Sequence, residues 1–546
     1  MQTFMDDRET LVVQAIEGVL RRSEGRLARL DGFPHIRVVV RADWERDRVA
    51  LVSGGGSGHE PAHAGFVGRG MLTAAVCGDV FASPSVDAVL AGILAVTGRA
   101  GCLLIVKNYT GDRLNFGLAA ERARAFGHRV EMVVVGDDVA LPDAAQPRGV
   151  AGTLFVHKVA GAMAEGGAPL EEVAAAAREV AGAARSIGMS LDTCTVPGAS
   201  KEDRIPEGRA ELGLGIHGEA GIEQVPFTGA AGAVARLAER LAPHMGEGSH
   251  VLLLNDLGST TPLEMSLLLD EVVRSPLAQR ISHVVGPGPL MTSLDMHGVS
   301  LSVLPARAAW LEALAAPAPE AWPALAALAE PAVRPLPDGL VPIQPVPSPH
   351  PARRALVERC AQALLAAEGA LNALDARTGD GDTGTTLATA ARALLDALDR
   401  LPLADLTQLL RAVAGELSQT MGGSSGVLLA ILFAAAGDAT AGGRSGPAAL
   451  RAGLDRVMQV GGARLGDRTM VDALLPALDA LPGGLAAAAR AARAGADATA
   501  AMTRAGAGRA SYLSADRLRG HNDPGAEGVA RLFEALSTET QAAMPA

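Results

Sequence analysis

The chain has 546 residues, of which 49% are hydrophobic and 20% charged, and a formal net charge of −12. That length calls for roughly two to four domains, and the composition is globular rather than disordered. The negative balance excludes nonspecific nucleic-acid binding and attachment to an anionic membrane surface.

Short aliphatic, β-branched runs open the chain: IRVVV (36–40), VALVS (49–53), CLLIV (102–106), VEMVVV (130–135), HVLLLN (250–255) and SLSVL (300–304). Their pattern predicts buried strands. Between them, residues 115–127 and 170–188 have helical spacing, the latter expected to close at Gly188. The expectation is α/β organisation in two subdomains. Residues 331–351 then hold eight prolines in 21 positions, the mark of an extended, semi-rigid linker.

Beyond the linker the segments 353–374, 385–399, 405–420, 427–436, 447–460, 469–480 and 484–499 are rich in alanine and leucine at helical spacing, separated by glycine-rich turns. The chain therefore divides into an α/β domain (1–335), a proline-rich linker (336–352) and an all-α domain (353–546). The longest strongly apolar run, 427–437, is too short to span a bilayer. Acids stand near the N-terminus where a secretory signal has bases. Cys77, Cys102, Cys194 and Cys360 form no C-x-x-C pair, so free thiols in a reducing compartment are expected. Together these readings point to a soluble cytoplasmic protein.

In the first half the chemistry begins at SGGGSGHEPAHAGFVG (53–68). A dinucleotide-binding loop needs glycines spaced G-x-G-x-x-G, and here His59 follows Gly54, Gly55, Gly56 and Gly58. A loop that only wraps phosphate has little use for a titratable imidazole, so this one is built for chemistry on a small substrate. KNYTGDRLNF (107–116) brings Lys107 and Asp112 to the carboxyl end of a predicted strand, where open α/β sheets bind ligands. ELGLGIHGEAG (211–221) sets His217 between glycines. A His–Asp pair can take a proton from a hydroxyl, and a neutral histidine can attack a carbonyl.

In the second half DARTGDGDTGTT supplies Asp375, Asp380 and Asp382, and three carboxylates from one short segment suit Mg²⁺ held with phosphate oxygens. MGGSSGVLLAILF (421–433) offers the free N–H groups of a helix start. GDRTMVDALLPAL, GRASYL and GHNDPGAEG add further polar loops, with Asp467, Arg468 and Arg509. No lysine follows Lys201, so a Walker-A loop is impossible there, and a nucleotide site must use metal, arginine or backbone N–H groups.

Residues 54–85, 108–123, 152–162 and 211–221 resemble the substrate-binding domain of dihydroxyacetone kinases. DARTGDGDTGTT, GGSSG, GDRTMVDALLPAL and GRASYL resemble that family's nucleotide-binding domain, and both domains lie on one chain, as in the ATP-dependent branch. The resemblance implies two α/β subdomains followed by an eight-helix barrel, usually as a homodimer. It implies that His217 forms a covalent hemiaminal with the ketone carbon, that Asp112 is the base, and that His59 is hydrogen-bonded to the substrate and assists the catalysis. Gly56, Ser57 and Lys107 would hold substrate oxygens, while Asp375, Asp380 and Asp382 would carry two Mg²⁺ ions. ATP phosphates would meet Asp382, Thr383, Gly384, Thr385, Ser424 and Ser425; adenine would lie near Gly461, Thr469 and Met470, with the loop at Asp523 closing over the nucleotide. Thr383 stands where many relatives have histidine or cysteine, and Asn522 where proline is expected. A four-carbon ketose, cleavage of FAD to a cyclic flavin phosphate, and a non-catalytic sensor on the same fold are the alternatives.

Overall fold

The computed structural model describes residues 3–5, 7–32, 34–141, 146–337 and 345–542, with the side chains of Ser424 and of 539–542 outside that set. The chain parts into two compact units at Ala332/Val333.

Among the described residues the first unit contains two sheets. One has the order β1-β2-β4-β3-β5-β6, from Leu27–Arg29 (β1), Val38–Arg41 (β2), Ala50–Ser57 (β3), Ala74–Val80 (β4), Cys102–Lys107 (β5) and Val130–Val135 (β6). Strands β4, β3, β5 and β6 run parallel, while β1 and β2 pair antiparallel at one edge. The other has the order β13-β11-β10-β12-β7-β8-β9, from Arg185–Ser190 (β7), Arg209–Leu212 (β8), Glu223–Pro226 (β9), His250–Asp256 (β10), Ile281–Gly288 (β11), Gly298–Pro305 (β12) and Ala326–Ala327 (β13). Only β10 and β11 are parallel in that sheet.

Strand periodicity sorts the side chains into layers. On β5, Leu103 and Ile105 join a central core, and Cys102, Leu104 and Val106 join an outer one under the helices Val86–Val96 and Thr110–Ala125. On β10, Val251 and Leu253 face the central core, and Leu252 and Leu254 face the helices Gly229–Leu241 and Pro262–Arg274. The helices Thr153–Glu165 and Leu170–Ala183 supply much of the central core. The result is helices, sheet, helices, sheet, helices. Apolar residues on both faces of each strand follow, as two-sided burial requires.

The expected helix 170–188 is shorter. It ends at Ala183, and Arg185–Ser190 is β7, with Gly188 opposite Ser300 of β12. The pairing edge of β12 outweighs the helical pattern of the five-residue tail 184–188, since tertiary context overrides propensity.

The second unit has eight long helices among the described residues: Pro351–Thr378, Thr383–Ala397, Leu406–Thr420, Gly423–Ala441, Gly446–Gly461, Val471–Ala480, Leu485–Thr499 and Pro524–Ala542. Each packs on the next, and the last packs on the first, so they close a ring. The first helix begins at Pro351 rather than 353, which corrects the linker's expected end. His350 accepts the Arg353 N–H at 3.3 Å as its cap, and proline suits a first turn that has no N–H acceptor to satisfy. Residues 338–344 of the expected linker lie outside the described residues. The helix expected at 427–436 spans 423–441, because it opens directly at its glycine-serine loop.

Candidate active site

In the first unit the site forms at the carboxyl ends of β3 and β5, which are parallel neighbours. Glycines let the chain crowd there. A Cβ at Gly54 would strike the Val76 carbonyl of β4, and one at Gly56 would strike the backbone of Phe81 and Ala82. Gly55, at φ +149°, is the one that faces the functional groups: its Cβ position lies 3.1 Å from Lys107 Nζ and 3.4 Å from Asp112 Oδ2. Lys107 ends β5, and Asp112 sits in the first turn of the helix that follows. Both are buried, and Asp112 Oδ1 has no hydrogen-bond partner among the described residues. Ser57 is committed elsewhere, since its hydroxyl donates to the Gly78 carbonyl at 2.8 Å.

His59 is fully buried, and its Nδ1 donates to the Thr292 carbonyl at 2.8 Å. A carbonyl can only accept, so the proton is on Nδ1, and Nε2, which has no partner among the described residues, is an acceptor. Burial, then the neighbouring Lys107 and His217, push this imidazole well below its ordinary pKa and keep it neutral. His217 comes from the loop between β8 and β9 of the other sheet, with its ring 4.9 Å from that of His59. Tyr109 and Phe81 meet the His217 ring edge-on at 4.5 and 5.3 Å. Phe81 holds a left-handed backbone (φ +56°), an uncommon conformation for a bulky residue beside a site.

Glu219 orients His217. Its Oε1 accepts from Nδ1 at 3.1 Å and its Oε2 accepts the His217 backbone N–H at 2.9 Å. Burial pushes the Glu219 carboxyl up, but these bonds and the imidazole hold it at about 2. Nε2 of His217 is therefore the nitrogen left for a ligand. Glu219, Tyr109, Phe81 and Thr292 were not singled out from sequence. Glu219 stands two residues after His217 in IHGE, the one signal that could have found it.

In the second unit the helices alternate in direction because short connections join neighbours that pack along their length. Connections one, three, five and seven therefore share one end of the ring. They are the loops at 379–382, 421–422, 462–470 and 500–523, which carry every polar motif of this half. Contacts tie three of them together: Arg509 pairs with Asp380, Arg468 Nη2 donates to the His521 carbonyl at 2.8 Å, and Gly506 N donates to the Asp467 carbonyl at 2.9 Å.

Carboxylate oxygens of Asp375, Asp380 and Asp382 lie within 4.8 Å of one another, a spacing that fits a hard cation. Asp375 is the organiser: its Oδ2 accepts from the N–H groups of Gly381, Asp382 and Thr383 at 3.0–3.1 Å and from the Thr383 hydroxyl at 2.9 Å. Asp380 and Asp382 are exposed. Thr385 is held by Asn372, which donates to its hydroxyl at 2.9 Å and accepts its N–H at 3.0 Å. Gly384 permits close helix packing, since a Cβ there would strike the Glu368 carbonyl.

Ser425 is exposed in the first turn of Gly423–Ala441, and Ser424 shares that turn by its backbone. Gly461 ends its helix against Leu428. Thr469 N donates to Asp472 Oδ2 at 2.9 Å, and Met470 lies beside Gly525. Asp523 caps the last helix through the Ala526 N–H at 2.9 Å, and burial pushes its carboxyl up to about 6. Asn372 and Asp472 are further polar residues of this end that sequence reasoning missed.

The Dak1 domain family matches residues 18–321, and the DAK2 domain family matches residues 377–538. Dihydroxyacetone kinase of Citrobacter freundii is 47% identical, over 98% of this chain and 99% of that protein. Human Triokinase/FMN cyclase is 42% identical, over 92% and 93%. The native crystal structure of the C. freundii kinase superposes with a TM-score of 0.69 at 45% identity, covering 98% of this chain and 99% of that one. Its complex with AMP-PNP and Mg²⁺ gives 0.68 at 44% identity with the same coverage. With both domains matched in order on one polypeptide, and a full-length relative sharing almost half its residues, this chain belongs to the dihydroxyacetone kinase family.

Proposed function

We propose that the protein transfers the γ-phosphoryl group of ATP to dihydroxyacetone, with residues 1–335 handling the ketone and the helical half the nucleotide. The observation that carries this reading is the pairing of His217 with Glu219, beside a neutral His59 whose Nε2 is free. A histidine whose Nδ1–H is held by a carboxylate presents a lone pair at Nε2, the atom that adds to a carbonyl carbon. A bond forms between Nε2 and the ketone carbon, and the carbonyl π bond breaks. The oxygen ends as a hydroxyl, its proton supplied from His217 Nδ1 by way of Glu219. Glycerol has no carbonyl and is not held.

Asp112 then takes the proton of the terminal hydroxyl as its oxygen bonds to the γ-phosphorus and the bond to ADP breaks. His59 Nε2 accepts a hydrogen bond from the substrate, and Lys107 donates to its oxygens, with Gly56 and Ser57 contributing backbone. Asp375, Asp380 and Asp382 are the residues to hold Mg²⁺, as two ions, which neutralises phosphate charge when bound. Asp382, Thr383, Gly384, Thr385, Ser424 and Ser425 surround the phosphates, Gly461, Thr469 and Met470 the adenine, and the Asp523 loop closes the site. Such a reaction needs positioning and charge neutralisation more than covalent help. The relative solved with AMP-PNP and Mg²⁺ supports the choice of nucleotide and metal.

The reading includes a homodimer in the cytoplasm. Four free thiols suit a reducing compartment, and no described helix is long and apolar enough to cross a membrane.

The test is ADP release from Mg-ATP with dihydroxyacetone, glyceraldehyde, erythrulose or glycerol, beside His217→Ala. Turnover with carbonyl acceptors only, abolished in the variant, is the expected result. Equal turnover with glycerol would overturn the role of His217, and erythrulose preferred over both trioses would move the substrate to the four-carbon class.

A further inference from the structure

The proposed reaction leaves His63 unused, although it is buried in the glycine loop. Its Nε2 lies 2.9 Å from Lys107 Nζ, and it is the one hydrogen-bond partner of that nitrogen among the described residues. An ammonium can only donate, so His63 Nε2 is unprotonated and the ring proton is on Nδ1. Burial pushes the Lys107 ammonium below its ordinary pKa, while the acidic groups Asp112 and Glu60, which face it, favour its charged form. His59, from the same loop as Glu60 and His63, and His157, from the helix Thr153–Glu165, are the other titratable groups near it. Burial, then the nearby lysine charge, keeps His63 and His157 neutral, so each can serve as a polar neighbour without repelling the ammonium.

The surroundings fix His63 in turn. Its ring packs edge-on against that of His157 at 5.2 Å. His157 Nε2 donates to the Ser53 hydroxyl at 3.1 Å, and that hydroxyl donates to the Ile105 carbonyl of β5 at 2.7 Å. The chain of contacts thus runs from the β5 backbone back to the side chain that ends β5. Lys107 and Asp112 meet the open face of Gly55, so the ammonium's aim decides what the base sees.

We infer that His63 is a positioning residue: by accepting one N–H of the buried Lys107 ammonium it aims the remaining donors at the substrate's oxygens beside Asp112. The inference rests on the reading of Lys107 as a substrate holder. Loss of the acceptor leaves a buried charged donor unsatisfied. It also shifts Lys107 toward its neutral form, so that activity falls at lower pH on the alkaline side.

The experiment compares wild type, His63→Leu, His63→Asn and His63→Gln in the ADP-release assay. Glutamine places an amide oxygen where Nε2 stood, whereas asparagine is polar but ends short of Lys107. The leucine and asparagine variants are expected to lose roughly 10- to 100-fold in kcat/KM for dihydroxyacetone, the cost of a charged donor without its acceptor. Their KM for ATP should stay unchanged, and the alkaline limb of the pH profile should move to lower pH. Glutamine should recover most of the loss and restore the limb. If leucine does not fold, asparagine carries the comparison. Folded leucine or asparagine variants with wild-type kcat/KM and pH profile would overturn the inference, as would glutamine as impaired as asparagine. Wild type inactive on every carbonyl acceptor would instead overturn the proposed function, and this inference with it.

Discussion

The two units hold charge in opposite ways. In the α/β unit, His59, His63, Lys107 and Asp112 are buried; a backbone carbonyl holds His59, and His63 and Lys107 hold each other. In the helical unit, Asp380 and Asp382 stand exposed, and only Asp375 is buried, tied to its own loop. A dry site can discriminate chemically, because an unpaired polar group there is costly. A wet one suits a ligand that arrives with its own charges and counterions. This contrast suits the proposed division, with the carbonyl end of the reaction in the first unit and the phosphate end in the second.

Four experiments press on that contrast. The largest effect is expected at Asp112: Asp112→Asn should lower kcat by roughly 10²- to 10⁴-fold, the worth of a positioned base. A loss under tenfold would mean the dry site does not carry the proton transfer. In the wet site, Asp380→Asn should raise the Mg²⁺ concentration for half-maximal rate at least about tenfold and leave thermal stability unchanged. Asp375→Asn should raise that Mg²⁺ concentration as well and also lower Tm, since four hydrogen bonds converge on one of its oxygens. Equal Tm in the two variants would erase the distinction between organiser and ligand.

Glu219→Gln keeps an acceptor for His217 Nδ1 but removes its charge, so kcat/KM for the ketone should fall about tenfold. ATP-side parameters should not move. The smallest effect concerns stability alone. Burial raises the Glu527 carboxyl, but Arg493, Asn522 and Arg531 bring it down to about 2 from an ordinary value near 4.5. A depressed carboxyl stabilises the fold fully above the unfolded value and ceases to as pH falls from about 4.5 to 2. Glu527→Gln should therefore cost up to about 2 kcal/mol at neutral pH and nothing near pH 2, measured by urea unfolding.

Much of this was legible from the chain. VEMVVV is a strand over the residues read as one, and the glycine loops mark the helix ends of the second unit. Local pattern carries such elements. It failed where a partner decides: AAVCGDV becomes β4 between β2 and β3, and RSIGMS becomes β7 because β12 lies open beside it. The site divides in the same way. His59, Asp112 and His217 declared themselves through unusual residues in glycine settings. Tyr109, Phe81 and Thr292 matter through distances between two sheets, which no spacing along the chain encodes. Gly55 shows the same limit. The run of glycines was visible, but which of them faces Lys107 depends on the fold.

The alternation of helix direction in the second unit has an evolutionary and practical corollary. Its even connections, at 398–405, 442–445 and 481–484, lie at the pole opposite the motifs. On the proposed reading the nucleotide binds at the other pole, which leaves this one freer to change in length. The junctions at 442–445 and 481–484, which lie at the surface, are therefore the places to insert an affinity tag or a fluorescent reporter, or to open the ring by circular permutation, whereas 398–405 is partly buried and hydrogen-bonded to Ser348.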